Sequence, residues 1–226
     1  MSMSFYVPPE QLMRDRADYA RKNIARGRPL VALAYSDGIL IVTENTSNTL
    51  HKVSEIYDRI AFAGVGKFNE FDQLRVAGVR HADTKGFAYS REDVDARSLA
   101  NIYGQYLNQV FTHEMKPMEV EILVAEVGTA AGGDSLYRIS YDGIMVDEQH
   151  FAVLGGEAEV ITERLTQSWS EAMSLKDAFK AAVAALAGPE RTIGPDDNLE
   201  VAVLARSNGR RAFRRVEGEE LASLLA

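Results

Sequence analysis

Residues 28–74 read RPLVALAYSDGILIVTENTSNTLHKVSEIYDRIAFAGVGKFNEFDQL, and this stretch decides the fold. Residues 30–35 and 38–43 are two short apolar runs split by Ser36-Asp37-Gly38. A turn tripeptide between two strand-length runs predicts an antiparallel hairpin. Residues 59–65 form a third run of strand length. A helix is expected to start near Gly66, carrying Phe68, Phe71 and Leu74 on one side.

Outward from this stretch, the period alternates between strand and helix. Residues 97–115 carry Leu99, Ile102, Tyr103, Tyr106, Leu107, Val110 and Phe111 at helical 3–4 spacing. Residues 120–127 and 136–141 read as strands around a loop at 128–134, and 151–154 as another short strand. Helices are expected at 157–169 and 174–187, the second stopped by Gly188-Pro189. Residues 199–206 and 211–215 close a last hairpin around Asn208-Gly209, and 217–225 form a short final helix. Strands and helices grouped in this way predict sheet and helix layers within one domain, 1–226.

The N-terminal region is different. Residues 1–8 are aperiodic and end in proline, which predicts a flexible arm. A helix over 9–26 has only a thin stripe of Met13, Ala17, Ala20 and Ile24 among many charges. Such a helix is expected to lie against a neighbour rather than inside a core.

Composition narrows the function classes. The 226 residues carry 25 basic and 33 acidic side chains, a formal net charge of -8. That balance disfavours a sequence-independent nucleic-acid binder, which needs a positive field. The chain has no cysteine. Disulfides, thiolate zinc sites, iron–sulfur clusters and a cysteine nucleophile are therefore excluded. No signal peptide or membrane-length apolar run is read, so a soluble cytoplasmic protein is expected.

Local motifs give little chemistry. His51, His81, His113 and His150 are isolated, so neither a metal nor a cofactor is expected. Gly64-Val65-Gly66-Lys67 sits where a phosphate loop would lie. However, Asn69, Ala61 and Phe68 stand where such loops require glycine, glycine and Ser/Thr, so a tight strand-to-helix turn is the simpler reading. Gly104-Gln105-Tyr106-Leu107 lies within the periodic helix, where Tyr106 and Leu107 are expected in the core. The cluster Arg206, Arg210, Arg211, Arg214 and Arg215 reads as a solvated hairpin beside Glu217, Glu219 and Glu220.

The stretch at 28–74, together with Tyr19-Ala20-Arg21-Lys22-Asn23-Ile24 before it, resembles the opening of α-type subunits of the actinobacterial proteasome core particle. Segments 136–143 and 151–156 are similar to the middle strands of the same family. The resemblance implies an α+β, four-layer αββα sandwich of the Ntn-hydrolase type over 29–226. In catalytic relatives an N-terminal threonine is both nucleophile and, through its own amine, base. Its position falls at Arg28, while the supporting acid and lysine match Glu44 and Lys52. Arginine has no nucleophilic atom, so the resemblance implies a non-catalytic, architectural subunit.

The resemblance further implies a homo-heptameric ring stacked on β-subunits and admitting unfolded chains. A ring ATPase would deliver proteins tagged with a ubiquitin-like modifier. Its C-terminus would dock at Lys52 and Gly66. The arm residues Ser4, Phe5, Tyr6, Val7 and Pro8 would gate the pore, although the arm lacks the Tyr-Asp pair of archaeal α-subunits. The alternative is an active amidohydrolase of this fold with an internal nucleophile. A nucleotide-binding protein using Gly64 to Lys67 is a third reading.

Overall fold

In the computed structural model, residues 8–47, 49–194 and 197–225 are described. Among them the chain runs α1 (Pro9–Ile24), β1 (Leu30–Tyr35), β2 (Gly38–Glu44), β3 (Val53–Tyr57), β4 (Ile60–Gly66), α2 (Phe68–Ala88) and α3 (Ala96–His113). It continues with β5 (Val120–Glu126), β6 (Ser135–Ile139), β7 (Met145–Glu148), β8 (Phe151–Leu154), α4 (Ala158–Ser168) and α5 (Leu175–Ala187). β9 (Leu199–Ala205), β10 (Phe213–Arg215) and α6 (Gly218–Leu225) complete it.

The strands form two five-stranded sheets, in the orders β10-β9-β2-β1-β8 and β3-β4-β5-β6-β7. The expected hairpin pairs Leu30 with Thr43 and Tyr35 with Gly38. Every residue of β2 is buried. A strand covered on both faces cannot alternate apolar and polar, so residues 38–42 are a continuous apolar run, and the polar Thr43 and Glu44 end the strand. One face of each sheet meets the other through Leu30, Ile41, Val53, Ala63, Val65, Leu123 and Ala202. Outside, α2 and α3 cover the second sheet through Leu74, Leu99, Tyr103 and Leu107. The first sheet is covered by α4, α5 and α6 through Ile161, Leu165, Phe179 and Leu224. This is the αββα sandwich.

The structure adds two strands that periodicity did not separate. β3 alternates weakly because Ser54 and Glu55 are half-buried, and its register shifts between Glu55 and Tyr57. β7 is a four-residue edge strand with exposed Val146 and Asp147. Several ends also move. α1 stops at Ile24, α2 begins two residues after Gly66, and β6 stops at Ile139, before the Ser140–Gly143 turn. The start of α3 is set by Asp95, whose side chain accepts from the Ser98 N–H at 2.7 Å.

α1 caps one end of the sandwich. Ala20 and Ile24 pack with Tyr141 and Phe111. The guanidiniums of Arg16 and Arg21 lie 5.7 and 5.8 Å from the Phe111 and Tyr141 ring centroids. The thin stripe is therefore used within the chain. The remaining face, including Leu12, Arg14, Asp15 and Lys22, is exposed.

Candidate functional site

The inter-sheet layer ends in polar side chains here, because β2 and β9 each place one beyond the last apolar inward residue at this end. Along β9, Ala202 and Leu204 face the other sheet, so the period of two turns Glu200 the same way. Thr43 follows Ile39 and Ile41 on the matching face of β2.

Glu200 is only 8% exposed and organises this end. Its carboxylate accepts from the backbone N–H groups of Lys52 at 2.9 Å and Val53 at 3.0 Å. It also accepts from Asn45 Nδ2 at 2.7 Å and Arg215 Nη1 at 2.9 Å. His51 Nδ1 lies 3.5 Å away. One carboxylate on β9 thus ties the start of β3 to β10.

This tether holds Lys52. Its Nζ donates to the carbonyls of Arg28 at 3.0 Å and Glu44 at 3.1 Å, and to Thr43 Oγ1 at 3.3 Å. An ammonium has three N–H donors, and here each has an acceptor. Burial pulls the Lys52 pKa down to about 8; Glu200 opposes the shift, the Arg28 charge adds to it, and Glu44 again opposes it. Beside it, Glu44 accepts from Arg28 Nη1 at 2.8 Å and from the Arg191 guanidinium through both oxygens.

Gly66 lies on the neighbouring strand. The Lys52 carbonyl accepts from the Gly64 N–H at 3.0 Å, which places Gly66 two residues beyond that contact. Gly66 has φ +110°, and a Cβ there would lie 2.0 Å from the Glu119 carbonyl oxygen. Only glycine suits that turn. The following Lys67 N–H donates to the same oxygen at 2.9 Å. Glu70 locks the turn by accepting from the Glu119 N–H at 2.6 Å and from Lys116 Nζ at 2.7 Å. Tyr19 of α1 reaches it by donating to the Glu119 carboxylate at 3.3 Å. A Cβ on Gly64 would lie 2.6 Å from the Phe71 ring, so packing accounts for both glycines without a bound phosphate.

Arg28, Glu44 and Lys52 are therefore brought together, with Gly66 one strand away. Pro8 is exposed and its carbonyl accepts the Leu12 N–H at the start of α1. Ser4, Phe5, Tyr6 and Val7 lie outside the described residues. Sequence reasoning missed Glu200, Arg191 and Thr43. The signal for Glu200 was an acidic residue in phase with Ala202 and Leu204 in an apolar strand.

Two expectations are corrected. Tyr106 is 47% exposed, while Leu107 is buried, because α3 turns Tyr106 and Ile102 towards a groove beside α2. The arginine cluster is not a simply solvated hairpin. Arg206 pairs with the distant Asp134 and Arg211 with the distant Glu55, because the fold brings those acids beside the hairpin, while Arg214 pairs with the nearby Glu220 and Arg215 with Glu200. Among the described residues, no group of three His, Asp or Glu is placed to hold a metal, and no helix is long and apolar enough to cross a membrane.

Two facing antiparallel sheets between helix layers, with a charged cluster at the start of β1, define the class. A family model described as proteasome subunit matches residues 24–204. A relative from Acidimicrobium ferrooxidans named proteasome subunit alpha is 60% identical over 225 residues, covering 100% of this chain and 97% of its own. Proteins of the same name from Sanguibacter keddieii and Thermobifida fusca are 58% and 55% identical, each over 100% of this chain and 90% and 91% of their own. The chain belongs to the proteasome subunit family, among the actinobacterial α-type subunits.

Proposed function

We propose that the chain is a non-catalytic ring subunit, which gates a proteolytic chamber made by β-subunits and docks an activator through Lys52 and Gly66. One observation carries this reading. At the position where catalytic relatives have their threonine, Arg28 offers a guanidinium ion-paired to Glu44 at 2.8 Å. A guanidinium that stays protonated at all physiological pH can neither attack a carbonyl nor act as base.

For the rival, an amidohydrolase with an internal nucleophile, the hydroxyl beside the lysine is that of Thr43, 3.3 Å from Lys52 Nζ. Thr43 is 0% exposed, and its hydroxyl donates to the Pro29 carbonyl at 2.9 Å. No substrate carbonyl reaches that oxygen. The purified chain, free of β-subunit, is expected to show no peptide hydrolysis. Hydrolysis that disappears in Thr43→Ala would instead establish the rival.

In this reading, seven copies form the ring, and residues 1–8, 9–26 and 29–226 serve as arm, interface helix and sandwich of one domain. The exposed charged face of α1 suits a repeated contact with the next copy. The partners are β-subunits, a ring ATPase and unfolded, tagged substrates in the cytoplasm. Residues 1–8 carry no charged side chain. Seven such arms can crowd an axial opening and be displaced at low cost. Deleting residues 2–8 is expected to raise peptide hydrolysis by the whole particle several-fold, as measured with a fluorogenic peptide. An unchanged rate would leave the arm without a gating role.

A carboxylate-docking role also predicts a pH dependence. Lys52 is charged below its folded pKa of about 8 and loses that charge as pH rises through it. Stimulation by the activator is expected to fall across that value, while hydrolysis by the arm-deleted particle does not follow the same titration. The stability sign is opposite. Between about 8 and the ordinary 10.5, the unfolded chain binds more protons at this lysine, so its contribution to stability rises with pH.

A further inference from the structure

Beside Arg28 the surface opens into a cleft of about 530 Å³, within the range of small-molecule sites. It lies between the end of α1, the start of α4 and the segment after α5, and four arginines line it: Arg26, Arg28, Arg164 and Arg191. Glu44 is the one buried carboxylate among the lining residues; Glu157 and Glu190 are exposed.

The donors exceed the acceptors. Each guanidinium has five N–H groups. Arg28 gives one to Glu44, and its side chain is 51% exposed. Arg191 gives two to the same carboxylate. Arg164 gives one to the Ala185 carbonyl at 2.9 Å, and Arg26 gives one to Asn23 at 3.4 Å. Among the described residues, neither Arg26 nor Arg164 has a carboxylate within ion-pair distance. Two glycines let the walls pack closely. A Cβ on Gly188 would lie 2.9 Å from the Arg164 guanidinium nitrogens, and one on Gly156 would lie 2.5 Å from the Ala25 carbonyl oxygen.

From the cleft and its surplus of guanidinium donors, we infer that this is a binding site for a small polyanion carrying two or more carboxylate or phosphate groups. Arginine's planar fork engages either oxyanion through two parallel hydrogen bonds. Arg28 and Arg191 hold one group above Glu44, while Arg164 and Arg26 receive a second. This goes beyond the docking role of Lys52 and does not require it. The two sites are nonetheless coupled, because Arg28 is one of the charges that depress Lys52. An anion on Arg28 screens that charge and moves the Lys52 titration towards higher pH.

Calorimetric titration of the full chain with pyrophosphate and, separately, citrate tests the site at low and at physiological salt. Saturable one-site binding is expected for at least one of them, weakening with salt. Stronger binding of pyrophosphate would identify a phosphate ligand, and stronger binding of citrate a carboxylate ligand. Arg164→Gln and Arg26→Gln, the latter at an exposed position, are each expected to weaken it by about tenfold, a loss of one charge-assisted contact. Lys180→Gln, an exposed change on α5 outside the cleft, should leave it unaltered. The site is refuted if neither anion binds saturably, or if both arginine variants bind as tightly as the wild type.

Discussion

Lys52→Ala is expected to abolish activator-stimulated degradation by the assembled particle, while ring assembly and peptide hydrolysis by an arm-deleted particle persist. The ammonium is held by three acceptors at the end of the sandwich and tethered through its own backbone N–H to Glu200. In the proposed docking, a C-terminal carboxylate displaces one of these acceptors and takes its hydrogen bond. Removing one partner of such a pair costs about 2–5 kcal/mol, with the low end appropriate where water reaches the lysine. That low end still weakens activator binding by roughly 30-fold. Lys52→Arg should not restore it, since a planar guanidinium cannot reproduce three converging bonds from a single nitrogen. Binding of the activator to the mutant particle with wild-type affinity would reduce Lys52 to a structural lysine.

Glu200→Ala is expected to give the largest loss of stability. The substitution strips the backbone N–H groups of Lys52 and Val53 of their acceptor and leaves Arg215 without its carboxylate. Breaking a buried pair by deleting one partner costs about 3–5 kcal/mol, because the surviving charge remains desolvated. Arg215 is a quarter exposed, which places the effect towards the lower end. Denaturant unfolding of the chain measures it. Glu200→Gln keeps the acceptor oxygen but not the charge and should lose less. A loss below about 1 kcal/mol for the alanine variant would show that β3 is held by its strand pairing alone. The loss of Glu200 should also lower the Lys52 pKa further, since Glu200 is the first of the charges that support its protonated form.

Much of the fold is legible in the residues themselves. The turn at Ser36-Asp37-Gly38 between two apolar runs predicts the β1–β2 hairpin. The 3–4 spacing from Leu99 to Phe111 predicts α3. The absence of a nucleophilic atom at Arg28 is a fact of chemistry that needs no coordinates. These features are local: side-chain direction repeats every two residues in a strand and every 3.6 in a helix, so a short window contains the signal. β3 and β7 escaped because a bulged strand and an edge strand weaken that alternation.

What the tertiary structure decided is the site's environment. Glu200 lies 148 positions from Lys52, and Arg191 lies 147 from Glu44. They meet because β2 pairs with β9 and the two sheets close on one another. No local propensity encodes a contact across such a separation; it exists only once the apolar layer between the sheets has excluded water. The same closure lowered the pKa of Lys52 from the ordinary lysine value to about 8. It also left four arginines around a cleft at one end of the sandwich. The sequence alone determined which chemistry the chain lacks at Arg28. The packing of distant strands determined which charges stand together, because desolvation and ion pairing are properties of the closed fold rather than of any segment.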